Sequence, residues 1–156
     1  MTPDENDIKT IMEDSDILES YEPEQFRMDR EFKDGVVFVL RPVTPEEMEA
    51  LYADNSIQVW SPQKRKKIDK LTDVGEIEFL KLAVRGWRGL TWEIVNKWML
   101  GFDAAKKGKT GPVEFKVATM WKLMKKVNGL SVFIFDTVTL SEEMTEEIQE
   151  KQSKNL

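Results

Sequence analysis

The feature that most constrains this sequence is a concentration of tryptophan in its central part. The segment Val84–Leu90 reads Val-Arg-Gly-Trp-Arg-Gly-Leu and sets a large aromatic side chain between two glycines; Trp92, Trp98 and Trp121 follow it. An indole ring supplies a large contact area, and tryptophan is over-represented at protein interfaces. A small chain with this much indole must either bury it in an aromatic core or present part of it to another protein.

Apolar spacing predicts several helices. Residues that recur every three or four positions predict amphipathic helices over four segments: about 45–53, 76–89, 92–105 and 116–127. The first begins with a capping box, in which Thr44 is the N-cap and Glu47 the third helical residue. Residues 130–140 fit a strand by propensity and a helix by spacing. We favour the helix there because the preceding elements are helical, and expect Ser141 or Thr145 to cap an acidic final helix.

Extended structure is predicted mainly near the N-terminus. Residues 36–41 are β-branched and aromatic and follow the turn signal Asp34-Gly35, which would place Phe32 on an earlier strand. Residues 57–60 and 113–115 are shorter extended candidates. We therefore expect a mainly α fold with a small N-terminal β element (α+β). It would form one compact helical domain over residues 31–156, behind a disordered acidic arm over residues 1–30.

Charge is divided along the chain. The net charge is −6, but residues 1–30 carry −7 and residues 61–130 carry +9. The run Lys64-Arg65-Lys66-Lys67 lies in a segment predicted to be a loop, where it reads as a solvated linker. It could also contact phosphates, but the acidic chain lacks a recognisable reading helix. Nucleic acid is therefore the less favoured partner.

The absence of two residue types argues against enzyme and metal functions. The chain has no histidine and no cysteine, which removes the usual general base, the commonest metal ligand and a thiol nucleophile. Gly108-Lys109-Thr110 resembles the end of a phosphate-binding loop, but Asp103 stands where that motif requires glycine. No apolar run is long enough for a membrane span. We expect neither an enzyme nor a cofactor, metal or membrane site.

The candidate partner-binding residues are aromatic or methionine side chains on the predicted helices. They are Trp87, Trp92, Trp98, Met120, Trp121 and Met124. Tryptophan and methionine on one helix face most often belong to a core. Methionine-rich surfaces also form adaptable grooves for protein partners. The sequence leaves both interpretations open.

The order of several motifs resembles the tail assembly chaperones of long-tailed bacteriophages and prophages. The strand Phe38–Pro42 is followed by the helix start Thr44–Glu47, and Val84–Leu90 is similar to that family's Gly-Trp signature. Val113–Phe115 and Lys154-Asn155 are similar to its later helix entry and its C-terminus. The chain departs from the family in two places. An added helix is expected over residues 92–105, and residues 116–119 replace the usual Thr-Pro-Glu-Asn cap.

The resemblance implies a noncatalytic protein of the host cytoplasm. Such a chaperone coats the hydrophobic tape-measure protein until tail tube protein polymerises around it, and often forms homo-oligomers. Two other functions are kept as alternatives: a structural virion or head–tail joining protein, and a small nucleic-acid-binding protein that uses residues 64–67. The first would remain in the mature particle, which a chaperone would not.

Overall fold

The protein contains both helices and strands in residues 14–139, the part of the chain that the structure, a computed structural model, describes. Of these residues 48% are helical and 21% lie in strands, so the predicted α+β class is confirmed and its mainly α character is wrong. The strands are β1 Met28–Glu31, β2 Val37–Leu40, β3 Ser56–Ser61, β4 Lys66–Leu71 and β5 Val84–Arg88. The α-helices are α1 Pro45–Asn55, α2 Asp73–Ala83, α3 Trp92–Trp98, α4 Val117–Lys126 and α5 Leu130–Val138, and residues 14–19 are also helical.

The first sheet is antiparallel, with the strand order β1-β2-β5. Asp34 and Gly35 turn the chain between β1 and β2, both with positive φ angles (55° and 76°), as the sequence predicts for a tight hairpin. β1 ends one residue before Phe32 and begins at Met28, which is fully buried. The predicted acidic arm, residues 1–30, therefore overlaps a strand of the core sheet.

The prediction of a single helix over residues 76–89 is wrong. α2 ends at Ala83, and the chain continues as β5, where Trp87 pairs with Phe38 of β2. The Ala83 carbonyl accepts a hydrogen bond from the backbone N–H of Arg41, at 3.0 Å. Pairing with β2 thus satisfies the backbone of a segment whose apolar spacing alone suits a helix.

The basic run is not in a loop linker, as predicted, but at the end of a second antiparallel sheet. β3 and β4 form a hairpin in which Ser56 pairs with Leu71 and Ser61 with Lys66. Lys64 and Arg65 lie in its turn, whereas Lys66 and Lys67 begin β4. The β4 segment is rich in lysine and has little strand propensity of its own. Hydrogen bonding to β3 holds it in the extended conformation.

The remaining helices largely follow their predicted positions. Thr91 caps α3 through a bond from the N–H of Ile94, but α3 ends at Trp98 rather than near residue 105, and Gly101 takes a positive φ of 85° shortly after it. α4 lies within the predicted 116–127, and residues 130–138 are helical, as favoured above. The predicted helix with a cap at Ser141 or Thr145 lies outside the described residues.

The hydrophobic core lies between the first sheet and helices α2, α4 and α5. Phe38 and Leu40 of β2 are fully buried, as are Met120 of α4 and Ile134 of α5. α2 and α4 pack on each other, and α1 packs on α2. No helix in the range 14–139 is long and apolar enough to cross a membrane.

Candidate functional site

The six predicted partner-binding residues do not form one continuous surface. Trp121 and Met124 are half-buried and line the same groove on one side of α4. Trp92 lines a separate groove between α3 and α4. The other three residues, Trp87, Trp98 and Met120, contribute to the interior.

Trp87 holds an irregular segment against the first sheet. Its indole Nε1 donates a hydrogen bond to the Val113 carbonyl at 2.8 Å. Its ring meets those of Phe38 and Phe115 edge to face, with centroids 6.3 and 4.8 Å away. The indole of the Gly-Trp signature thus has its polar and apolar contacts within the protein.

Trp98 anchors α3 to the turn between β1 and β2. Its Nε1 donates to Oδ2 of Asp34 at 2.7 Å, and Lys97 donates to the other carboxylate oxygen, also at 2.7 Å. These two hydrogen bonds, the one from Lys97 first, lower the pKa of Asp34. Trp98 is only 9% exposed. Its indole therefore has a structural partner that the sequence did not indicate.

Met120 and Trp92 lie on other faces of the α3–α4 region. Met120 is fully buried, so its thioether packs in the core and does not face solvent. Trp92 is half-buried and lines a groove of 370 Å³ with Met99 and Phe102. Ala118 and Leu123 of α4 lie among the other lining residues. This second groove faces away from Trp121 and Met124.

The larger apolar concavity, which we call the main groove, lies between β4, α2, α4 and α5. Its volume is 460 Å³, within the range of binding pockets. Its apolar lining includes Ile68, Phe79, Trp121, Met124, Val132 and Phe135. Val132 is 62% exposed and Phe135 41%, although both lie on a helix whose other face is core. The two exposed residues give α5 an apolar outer face that opens into the groove.

Trp121, which lines the main groove, carries an unsatisfied polar atom. Its Nε1 is buried and has no hydrogen-bond partner among the described residues. The ammonium of Lys125 lies 3.9 Å from the ring centroid and that of Lys122 lies 4.8 Å away. The Trp121 indole therefore has two cations over its ring and a buried N–H that no described residue satisfies.

Charged residues of both signs surround this apolar surface. Lys70 and Asp136 line the main groove, and so does Glu76 of α2. Lys125 also bonds the carboxylate of Asp73 at 3.2 Å, which ties α4 to the start of α2. An apolar floor with a mixed charged rim is the usual composition of a protein-binding patch.

The β3–β4 hairpin carries a second exposed surface, which was not predicted from the sequence. Trp60 is 62% exposed and lies on β3, directly across the hairpin from Lys67. The basic run follows it at the turn. The signal was present in the alternation of residues 57–60 before a basic segment, but the second strand had no apolar pattern to reveal the pairing.

The described residues contain no group of three or more His, Cys, Asp or Glu side chains arranged to hold a metal ion. Comparison with models of protein families, curated proteins and solved structures finds no match to this chain. The assignment of function therefore depends on the chemistry of the main groove and of the hairpin.

Proposed function

We propose that this protein is a noncatalytic chaperone of phage or prophage tail assembly. In this role it binds an apolar helical segment of the tape-measure protein in the main groove and keeps that protein soluble until tail tube protein polymerises around it. The motif order described above supports the choice of family. The main groove supports binding of a protein rather than a reaction.

The observation that carries the proposal is the exposed apolar wall of the main groove. Val132 and Phe135 face solvent beside Trp121 and Met124, in a concavity of 460 Å³. A groove of this kind accepts the side chains that an amphipathic helix presents at intervals of three and four residues. Methionine adapts its shape to different apolar side chains, which suits a partner that is long and varied in sequence.

Charge on the chain supports a solubilising role. Residues 14–139 carry equal numbers of acidic and basic side chains, so the net charge of −6 comes from residues 1–13 and 140–156. A net charge away from zero keeps a protein and its complexes in solution. The acidic terminal segments would supply that charge to a complex with an apolar protein.

The test is co-expression with the tape-measure protein of the same genome neighbourhood, followed by size-exclusion chromatography. We expect the tape-measure protein to be insoluble alone and to co-elute with the wild-type chain. Val132→Asp places a carboxylate in the main groove and should weaken binding about 10-fold or more. Val74→Asp is the matched control, because Val74 is 60% exposed on α2 and does not line the groove.

Three results would contradict the proposal or its binding site. A tape-measure protein that is soluble alone and never co-elutes would exclude the chaperone role. Detection of the chain in mature virions by mass spectrometry would instead indicate a structural virion or head–tail joining protein. Equal loss of binding in Val74→Asp and Val132→Asp would place the interaction outside the main groove.

A further inference from the structure

The β3–β4 hairpin carries a concentration of positive charge that the rest of the fold does not use. Residues 56–71 contain five basic side chains and one carboxylate, Asp69. None of the five basic groups forms an ion pair with a described residue, and all are exposed. The hairpin therefore presents a strongly basic surface on a domain of zero net charge.

The basic turn is held in a defined shape by Ser61, which is 6% exposed. The Ser61 carbonyl accepts a hydrogen bond from the N–H of Arg65 at 2.7 Å, and its hydroxyl accepts one from the N–H of Lys64 at 3.3 Å. Arg65 takes a left-handed conformation, with φ of 52°. A turn with these internal bonds positions its cations before any partner arrives, which lowers the entropic cost of binding.

An aromatic side chain lies across the hairpin from Lys67, two residues after the turn cation Arg65. Trp60 and Lys67 are directly opposite each other in the hairpin register, so their side chains project from the same face. Trp60 is 62% exposed and is not part of the hydrophobic core. An exposed indole beside lysines is the combination that stacks an unpaired base while the cations contact the flanking phosphates.

We infer that the β3–β4 hairpin binds single-stranded nucleic acid, with Trp60 as the stacking platform and Lys67, on the same face, and Lys64 and Arg65 of the turn as phosphate contacts. This surface is separate from the residues proposed above to bind a tape-measure helix, apart from the side of β4 that lines the main groove. Single strands are favoured over duplexes because stacking on Trp60 requires an exposed base face. An acidic chain without aromatic residues, such as polyglutamate, would engage the cations but could not stack on the indole.

The experiment measures anisotropy of labelled oligo-dT, oligo-U and a duplex of equal length with the full chain. Oligo-dT and oligo-U should both bind, the duplex more weakly, and affinity should fall steeply with salt. Each lost phosphate contact reduces the slope of log K against log salt by about 0.7, so Lys64, Arg65 and Lys67→Gln together should reduce it by about 2. Lys106, Lys107 and Lys109→Gln is the matched control, with the same three exposed charges removed elsewhere and no change in slope expected.

Variants of Trp60 test the stacking. Trp60→Ala should weaken oligonucleotide binding about 10-fold, and Trp60→Phe should keep most of the affinity. Unchanged thermal unfolding would show that the exposed side chain is not needed for folding. The inference is overturned if Trp60→Ala binds like the wild type, or if both triple variants lose binding equally. Unlabelled polyglutamate that competes as well as oligo-dT would overturn it in favour of an acidic protein partner. Failure of the tape-measure experiment leaves each of these results unaffected.

Discussion

At the scale of single residues, Arg41 places a guanidinium inside the protein. Its side chain is 3% exposed, its Nε donates to the Leu82 carbonyl at 2.7 Å, and its Nη2 bonds the carboxylate of Glu47. The Nη1 atom of Arg41 has no partner among the described residues. Partial burial raises the pKa of Glu47, but hydrogen bonds from Arg41 and Thr44 outweigh that effect, so the pKa is lowered. One carboxylate therefore neutralises a buried cation and completes the capping box of α1.

Glu47→Gln tests the charge separately from the cap. Glutamine can still accept the N–H of Thr44, but it leaves the Arg41 guanidinium without a counter-charge. We expect a loss of about 2–4 kcal/mol in the free energy of unfolding, measured by urea denaturation. Glu46→Gln, at the exposed neighbouring position, should change that free energy by less than about 0.5 kcal/mol. Equal effects of the two variants would mean that the buried pair contributes no more than a surface carboxylate.

Asp29 makes the stability of the first sheet depend on pH. Hydrogen bonds from Arg27 and then Arg88 lower the pKa of Asp29 to about 2 from an ordinary 3.8. Because the folded-state pKa is lower than the unfolded one, the stabilisation is present above pH 3.8 and is lost as pH falls towards 2. After allowance for solvent screening it amounts to about 0.5–1 kcal/mol.

The measurement is urea denaturation between pH 5 and about pH 2 in the wild type and in Asp29→Asn. The variant should be less stable at pH 5 and should approach the wild type as pH falls. Asp69→Asn is the control, because it removes an exposed carboxylate that has no ion pair to a described residue. This variant should lose as much stability between pH 5 and about pH 2 as the wild type does. The role of Asp29 would be contradicted if the free energies of unfolding of the wild type and Asp29→Asn differed by the same amount across this pH range.

At the scale of elements, Gly75 allows α2 to begin against the end of α1. A Cβ at residue 75 would lie 2.8 Å from the Asn55 carbonyl oxygen and from the Asn55 Cβ. An alanine in an open helical site would stabilise the protein by about 1 kcal/mol relative to glycine. At this site the backbone contact should reverse the sign, and we expect Gly75→Ala to destabilise the protein by about 1–3 kcal/mol in thermal or urea unfolding.

Gly86 provides the comparison within the same chain. A Cβ there would meet no atom within 4 Å, so Gly86→Ala on β5 should be neutral or stabilise the protein by up to about 1 kcal/mol. If Gly75→Ala were equally well tolerated, α1 and α2 would have to separate without cost. The close approach would then not be what positions the start of α2.

The elements also show why part of the fold was predictable. The Asp34-Gly35 turn and the Thr44 capping box are determined by residues next to one another, and the structure contains both as predicted. Val84 and Trp87 continue the apolar stripe of α2, so the boundary at Ala83 depends on the distant partner strand β2, whose Leu40 pairs with Val84 from 44 residues earlier in the chain. A local period cannot distinguish a helix from a strand whose partner is distant in sequence.

The same reasoning applies to the candidate site. Trp121 and Met124 share a helix face, so their neighbourhood could be anticipated from spacing. Helical spacing does not show that the Trp98 indole donates to Asp34, or that the Trp87 indole donates to Val113. Both acceptors come from segments distant in the sequence. Trp60 is a candidate binding residue because it lies across the hairpin from Lys67. The lysine-rich sequence of β4 does not indicate this pairing.

At the scale of the whole molecule, the β3–β4 hairpin is an insertion between two helices that pack directly on each other. Its two ends meet, since the N–H of Thr72 donates to the Asn55 carbonyl at 2.8 Å and Ser56 pairs with Leu71. None of the buried apolar core residues lies in residues 57–70. The first sheet, in contrast, is part of the core, since even its edge strand β1 contributes the fully buried Met28.

This difference predicts which part of the chain can be removed. Replacing residues 57–70 with Asn-Gly closes the hairpin as a two-residue turn and should cost about 1–2 kcal/mol, the share of stability expected for that many residues. Unfolding in urea, followed by circular dichroism, should remain a single cooperative transition. Deleting the chain through Glu31 should abolish that transition, because it removes β1 and Met28 from the core. If the hairpin replacement instead lost cooperative unfolding, β3 and β4 would be part of the folding core.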